Sequence, residues 1–157
     1  MSARRCYGGA LLRLTLALRP ISSPEVMKRL LIVDDSKLMR EMVAACLRPL
    51  GAVTFEFAGT GLEALERLAL APFDLMVLDL NMPDVGGIEV VEFVRAQDRL
   101  RELPILIVTT RGDDESRAQV LGAGASSFLA KPFAPAEILD EVRRLLAAER
   151  PAGRARA

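Results

Sequence analysis

Four short apolar runs in this chain each end at residues that could do chemistry. "LLIV" is followed by Asp34 and Asp35, "LMVL" by Asp79, "ILIV" by Thr109, and "FLA" by Lys131. Three carboxylates, a hydroxyl and an ammonium gathered in one place could bind a hard cation and a phosphoryl group. These residues can therefore form such a site only if the fold brings the four run ends together.

The carboxylates set the chemistry of such a site. Three of them packed together repel one another, so at least one takes a proton unless a cation joins them. An oxygen-only pocket suits Mg²⁺. A carboxylate beside Mg²⁺ can attack phosphorus and form an acyl phosphate, with catalysis mostly by positioning and charge neutralisation. Lys131 would supply a cation and Thr109 a hydroxyl donor to the phosphoryl oxygens.

Each of these residues also has an ordinary structural interpretation when taken alone. An aspartate at the end of a strand commonly caps a helix or forms a turn. Thr109 could simply be a β-branched strand residue, and Lys131 a surface lysine. The hypothesis of a site therefore depends on their joint placement.

Strands and helices alternate along the chain from residue 28. Five apolar runs predict strands, and they lie at Leu30–Val33, Val53–Phe57, Phe73–Leu78, Pro104–Thr110 and Ser127–Ala130. Helical spacing of apolar residues follows each run, with Ser36 as the predicted N-cap of the first helix. The fourth helix is predicted at Asp113–Leu121 and the last begins near Pro135.

Three of the runs contain four consecutive apolar residues, LLIV, LMVL and ILIV, instead of alternating, which is typical of strands buried on both faces of a parallel sheet. Strict alternation of strand and helix independently favours the same fold, a doubly wound α/β sandwich with helices on both faces. Ligands bind such sheets beyond the carboxyl ends of the strands. The predicted fold therefore places all four run ends at one edge.

Composition excludes several classes of function. The 157 residues have a formal net charge of zero and contain no histidine. Histidine-dependent hydrolysis, histidine-ligated metals and a role as histidine phospho-donor are thereby excluded. A neutral chain gives no long-range field for nucleic acid, so no such partner is expected. Cys6 and Cys46 form no CxxC motif, which favours a reducing, cytoplasmic setting.

The two ends of the chain lack a core-forming pattern. Residues 1–27 are predicted to be a disordered or misassigned extension, because "MKRLLIVDDS" from Met27 is typical of a protein start. The apolar stretch in this segment is broken by Arg13, so no membrane span is expected. Residues 149–157, "RPAGRARA" after Glu149, are predicted to be a flexible tail.

Four blocks of the sequence resemble those of a known family. "LLIVDDSKLMR", "VLDLNMPDVGG", "ILIVTTRGDD" and "GASSFLAKPF" resemble the signature blocks of response-regulator receiver domains, over residues 28–148 and in the same order. The resemblance implies a flavodoxin-like fold with five parallel strands in the order 2-1-3-4-5.

The resemblance also implies residue roles. Asp79 would be the phospho-acceptor. Asp34, Asp35 and Asp79 would hold Mg²⁺ together with the backbone carbonyl of Asn81.

Other implied roles concern the phosphoryl group and the response to it. Thr109 and Lys131 would bind the phosphoryl group, and the bond from Lys131 to Pro132 would be cis. Phe128 occupies the position of an aromatic switch residue, although it could equally be a permanent core aromatic. The output surface would be the face made by the fourth helix, the fifth strand and the fifth helix.

These roles describe a stand-alone signalling protein, not an enzyme. A sensor histidine kinase would donate the phosphoryl group, and a downstream protein would dock on the phosphorylated form. "NMPDVGG" is similar to chemotaxis regulators of the CheY type; a phosphorelay intermediate is the alternative. A phosphatase of the haloacid dehalogenase type and an unphosphorylated module of flavodoxin shape are further alternatives. The expected state is a monomer or weak dimer, without a membrane partner.

Overall fold

The computed structural model describes residues 26–148, in which five strands alternate with five α-helices and a short 3-10 helix, Arg48–Leu50, follows the first α-helix. The strands are β1 (Lys28–Val33), β2 (Val53–Ala58), β3 (Leu75–Leu78), β4 (Ile105–Thr109) and β5 (Ser127–Ala130). The helices are α1 (Lys37–Leu47), α2 (Gly61–Leu70), α3 (Gly87–Ala96), α4 (Asp114–Ala123) and α5 (Pro135–Ala147). Apart from residues 26 and 27, the predictions for 1–27 and 149–157 lie outside the described residues.

The five strands form one sheet in the order β2-β1-β3-β4-β5, and every pairing is parallel. Helices α1 and α5 pack on one face of this sheet, and α2, α3 and α4 pack on the other. The predicted flavodoxin-like sandwich with this strand order is confirmed.

The central strands are apolar throughout because helices cover both of their faces. All four residues of β3 and all five of β4 are buried. Alternate residues of β3 face opposite sides: Met76 and Leu78 pack with α2 to α4, whereas Leu75 and Val77 pack with α1 and α5. Because β3 is packed on both faces, the start of the loop that follows it is held in place.

Two predicted strands extend further in the sequence than in the structure. Phe73 is buried but precedes β3, and Asp74 turns its carboxylate onto the backbone N–H of Arg29 at 2.8 Å. Pro104 and Thr110 flank β4 on either side. Apolar character alone therefore placed these strand ends one or two residues too far out.

The helices begin at the edge of the sheet where the strands end. Ser36, Thr60 and Asp113 each cap a helix by accepting a backbone N–H three residues later. Helix α4 is the most thinly packed, since Val120 is its one buried residue. Within residues 26–148, none of the helices has both the length and the apolar content that a membrane crossing requires.

Candidate functional site

The strand registers bring the chemically capable residues together at one edge of the sheet. Val33 of β1 pairs with Leu78 of β3, so Asp34 and Asp79, the next residues, leave the sheet side by side. Thr109, the last residue of β4, pairs with Ala130, and Lys131 follows directly. The edge predicted from the sequence is therefore the place where these side chains meet.

Three carboxylates form a compact group at this edge. One oxygen from each of Asp34, Asp35 and Asp79 lies within 4.8 Å of the others. Asp34 and Asp79 are each 5% exposed, whereas Asp35 is open to solvent. Opposite ligands of Mg²⁺ are separated by about 4 Å, so small adjustments would let these oxygens share one hard cation.

Lys131 lies against two of the three carboxylates. Its Nζ donates to Asp34 Oδ2 at 2.7 Å and is 3.7 Å from Asp79 Oδ1. The lysine side chain is only 10% exposed, so this ammonium is largely removed from water. One positive charge thus faces two buried negative charges, which leaves the group short of a further cation.

Asp79 is the least satisfied member of the group. Its Oδ1 atom is buried and makes no hydrogen bond to any residue in the described range. Burial raises the pKa of Asp79 above its usual value, against the lowering effect of Lys131, and the neighbouring charge of Asp34 raises it further. A buried carboxylate oxygen that accepts no hydrogen bond fits a site that is completed by a further cation.

Asn81 connects the loop after β3 to the end of β4. Its Nδ2 donates to Thr109 Oγ1 at 3.2 Å and to Thr110 Oγ1 at 3.0 Å. The backbone N–H of Arg111 also donates to Thr109 Oγ1, at 3.3 Å. The sequence had suggested only the backbone carbonyl of Asn81, and nothing in its pattern indicates this side-chain contact.

Arg40 is a second contributor that the sequence did not suggest. From the first turn of α1, its Nη1 donates to the carbonyl of Asp34 at 2.6 Å and of Asp35 at 3.4 Å. The backbone N–H of Ser36 donates to Asp34 Oδ1 at 2.9 Å. These contacts hold the loop after β1, and with it the directions of the two aspartates.

Phe128 and Pro132 lie on either side of Lys131. The ring of Phe128 is half-buried against the α2–α4 side of the sheet, and the guanidinium of Arg117 lies 5.9 Å from its centroid. Phe128 pairs with Ile107, which lies two residues before Thr109 on β4. The side chains of Phe128 and Thr109 therefore lie on the same face of the sheet. The peptide bond between Lys131 and Pro132 is cis.

The raised pKa of Asp79 leads to a prediction about stability. Replacing Asp79 with Asn should stabilise the metal-free protein by about 1 kcal/mol near neutral pH, because a buried, poorly satisfied charge is removed. The folded wild type binds the proton of Asp79 more tightly than the unfolded chain does, so it loses stability as the pH rises through the raised pKa. Urea unfolding followed by circular dichroism, without divalent cations, measures the difference.

The same experiment at acidic pH is its control. Below the unfolded pKa of aspartate, Asp79 is protonated in both states, so the advantage of Asp79→Asn should shrink towards zero. An advantage that stays constant from acidic to neutral pH would show that the charge of Asp79 is not its cause.

Comparisons with known proteins identify the family of the chain. The sequence matches the response regulator receiver domain over residues 30–143. It is 36% identical over 119 residues to the chemotaxis protein CheY1 of Helicobacter pylori, covering 75% of this chain and 96% of that protein. It is 35% identical over 117 residues to CheY-3 of Vibrio cholerae, covering 74% and 90%.

Solved structures give the same result. The chemotaxis response regulator CheY4 of Vibrio cholerae superposes with a TM-score of 0.70 at 37% identity, covering 76% of this chain and 98% of that one. A putative response regulator from Chloroflexus aurantiacus superposes with a TM-score of 0.73 at 35% identity. The fold, the matched residues and the identity to these relatives together show that the chain belongs to the response-regulator receiver family.

Proposed function

We propose that this receiver accepts a phosphoryl group on Asp79 from a histidine kinase, in a reaction that requires Mg²⁺. The observation that carries the proposal is the buried Oδ1 of Asp79, which accepts no hydrogen bond and has Lys131 at 3.7 Å, within a group of three carboxylates and one lysine. An ordinary turn or helix-capping aspartate would have its oxygens on backbone N–H groups or in water.

The reaction is a transfer from phosphohistidine to carboxylate. An oxygen of Asp79 attacks phosphorus, the bond from phosphorus to the donor's imidazole nitrogen breaks, and an acyl phosphate forms. Mg²⁺ would be held by Asp34, Asp35, Asp79 and the carbonyl of Asn81, and when bound it neutralises charge on the phosphoryl oxygens.

Lys131 has two successive partners in this scheme. Before transfer, its ammonium pairs with Asp34 and opposes the rise in the pKa of Asp79, which favours the ionised form of the nucleophile. After transfer it can ion-pair with a phosphoryl oxygen, since it already lies 3.7 Å from Asp79 Oδ1. The same side chain thus serves the acceptor and the product.

The hydroxyl of Thr109 is prepared to donate. A hydroxyl has two acceptor lone pairs and one proton. The lone pairs of Thr109 Oγ1 receive the Asn81 amide and the Arg111 N–H, so the remaining capacity of the group is its proton. The Thr109 hydroxyl already helps to lower the pKa of Asp79 as a hydrogen-bond partner, and a phosphoryl oxygen on Asp79 would be a stronger acceptor for it, so this contact would draw the loop after β4 towards the site.

Movement of this loop supplies a route to an output surface. Helix α4 follows the loop and buries only Val120, so little packing resists its displacement. The side chain of Phe128 lies on the same face of the sheet as Thr109, so it can turn inward when the loop moves towards the site. We propose that a downstream protein docks on the face of α4, β5 and α5, as in chemotaxis-type signalling.

Labelling with a small phosphodonor tests the proposal. Wild-type protein incubated with acetyl phosphate and Mg²⁺ should gain one phosphoryl group, seen by intact mass, whereas Asp79→Asn should gain none. Removing Mg²⁺ with a chelator should abolish labelling of the wild type. Asp98→Asn, which changes an aspartate whose side chain is 81% exposed, is the matched control and should label normally.

Two results would contradict the proposal. Labelling of Asp79→Asn to the wild-type level would place the acceptor elsewhere. Repeated turnover of a small phosphate ester, without accumulation of one stable phosphoryl group, would favour the phosphatase alternative instead.

A further inference from the structure

Asp84 joins the loop after the acceptor to a distant helix. It lies between β3 and α3, five residues after Asp79. Its Oδ1 accepts the backbone N–H of Gly61 at 3.2 Å, and its Oδ2 accepts that of Leu62 at 3.2 Å. The two oxygens therefore bind the first two residues of α2, across 22 and 23 residues of sequence.

Helix α2 already has a local cap that does not involve this loop. The hydroxyl of Thr60 accepts the N–H of Glu63 at 3.1 Å, and the Glu63 carboxylate accepts the N–H of Gly59 at 2.7 Å. Those contacts lie within the segment that starts the helix. Asp84 differs because it brings a second loop onto the positive end of the helix.

The packing between this loop and α2 leaves no space for a side chain. A Cβ at Gly61 would lie 2.4 Å from the carbonyl oxygen of Val85. At the other end of the loop, a Cβ at Gly87 would lie 2.7 Å from the carbonyl oxygen of Asp79. The first of these close approaches is between the loop and α2, and the second is between the two ends of the loop itself. Asp84 adds a charged contact between the loop and α2.

Asp84 keeps this contact in its charged form. Desolvation raises its pKa, but the backbone N–H groups of Leu62 and Gly61, together with those of Asp84 and Val85, offset this and hold the pKa of Asp84 below its usual range. The carboxylate therefore remains ionised wherever Asp79 can be.

We infer that Asp84 is a positioning residue, which holds the loop between β3 and α3 against α2 and thereby fixes the backbone carbonyl of Asn81. The inference rests on the proposed function, in which that carbonyl is a Mg²⁺ ligand. Asn81 lies three residues from Asp84 in the same short loop. Without the tie, the Asn81 amide still contacts Thr109 and Thr110, but the rest of the loop must be ordered when Mg²⁺ binds, and that entropy weakens the affinity.

Variants of the two side chains that bind the start of α2, Asp84 and Thr60, test the inference. Asp84→Asn keeps the shape but removes the charge, and Asp84→Ala removes the tie altogether. Thr60→Ala is the matched control, because it removes a cap from the same helix end without touching the loop. Calorimetric titration with Mg²⁺ alone should give a three- to tenfold weaker affinity for Asp84→Ala, a smaller loss for Asp84→Asn, and a change under twofold for Thr60→Ala.

Amide hydrogen exchange gives a second measurement that does not depend on metal. Met82 N–H donates to the carbonyl of Leu80 inside the loop at 3.2 Å. Its exchange should be faster in Asp84→Ala than in the wild type and unchanged in Thr60→Ala. If Asp84→Ala keeps both wild-type affinity and wild-type exchange, Asp84 is a helix cap and the inference is wrong.

The two hypotheses can fail separately. A wild-type protein that does not bind Mg²⁺ would overturn the proposed function and the consequence for metal affinity. The exchange comparison would then still decide whether Asp84 holds the loop.

Discussion

Replacing Lys131 with Met should lower the unfolding free energy of the metal-free protein by about 3 kcal/mol. The lysine side chain is 10% exposed and the Asp34 side chain 7%, and Nζ lies 2.7 Å from Asp34 Oδ2. Methionine has a similar length but no charge, so Asp34 and Asp79 would face each other without the ammonium. Removing one partner of a buried ion pair is costly because the other charge stays buried.

Two features of this variant identify the cause of the loss. Lys131 lowers the pKa of Asp79, so its removal should make the loss of stability grow as the pH rises. Mg²⁺ should restore much of the stability, because a cation present at 100 times its Kd adds about 2.7 kcal/mol. Labelling by acetyl phosphate should become slower, since the phosphoryl oxygens lose a neutralising cation in the transition state.

Lys28 offers a matched control for Lys131. It lies 3.9 Å from Asp74, but its side chain is 45% exposed, so Lys28→Met should change the stability by less than about 0.5 kcal/mol. Urea unfolding with and without Mg²⁺ measures both variants. A loss for Lys131→Met no larger than that for Lys28→Met would contradict the assignment of a buried charge cluster.

The element order could be predicted from the sequence because burial on both faces leaves a clear signal. The segments Leu75–Leu78 of β3 and Ile105–Val108 of β4 are apolar at every position, and both strands are wholly buried. The error at Phe73 has a physical cause: the residue packs in the core from a loop, so its apolar character carries no information about strand pairing. The strand order came from family resemblance.

The membership of the site could also be predicted, because parallel strands end at the same edge. The internal contacts could not. No pattern indicates that Lys131 contacts Asp34 more closely than Asp79, since the difference between 2.7 and 3.7 Å depends on side-chain packing. The contact of Asp84 with α2 was equally invisible, because an aspartate in a Pro- and Gly-containing turn usually serves that turn alone.

For Phe128, the structure adds to what the sequence indicates. The sequence left open whether it is a core aromatic or a switch residue. The ring is only half-buried, with Arg117 of α4 beside it, so it has room to move that a fully enclosed core residue lacks. Its neighbour in the sheet, Ile107, is fully buried by comparison.

Arg95 leads to the second large prediction, which concerns the far end of α4. Its Nε donates to the carbonyl of Gly124 at 2.7 Å, and its Nη1 donates to those of Leu103 at 2.8 Å and Arg101 at 3.0 Å. Burial lowers the pKa of this guanidinium, although Glu102 opposes the effect. One side chain thus ties α3, the turn before β4 and the end of α4 together.

Arg95→Ala should lower the unfolding free energy by about 3 kcal/mol, because three carbonyls, two of them in partly buried contacts, lose a charged donor. Arg95→Lys should recover only part of this, since an ammonium cannot reproduce the planar fork. Urea unfolding measures the loss. Arg99 is the matched control: it donates to the carbonyls of Leu68 and Ala69 from an exposed position, so Arg99→Ala should cost well under about 1 kcal/mol.

The contacts of Arg95 also determine how α4 can move. Its C-terminal end is held at Gly124, where a φ of 113° and the nearby Arg95 side chain both exclude a larger residue. Its N-terminal end follows the loop from Thr109 and has no buried residue in its first turn. Displacement on phosphorylation should therefore pivot about Gly124. Amide exchange of the phosphorylated wild type should rise at residues 113–117 and stay low near 124, and Arg95→Ala should lose this difference; uniform exchange along α4 in the wild type would contradict the pivot.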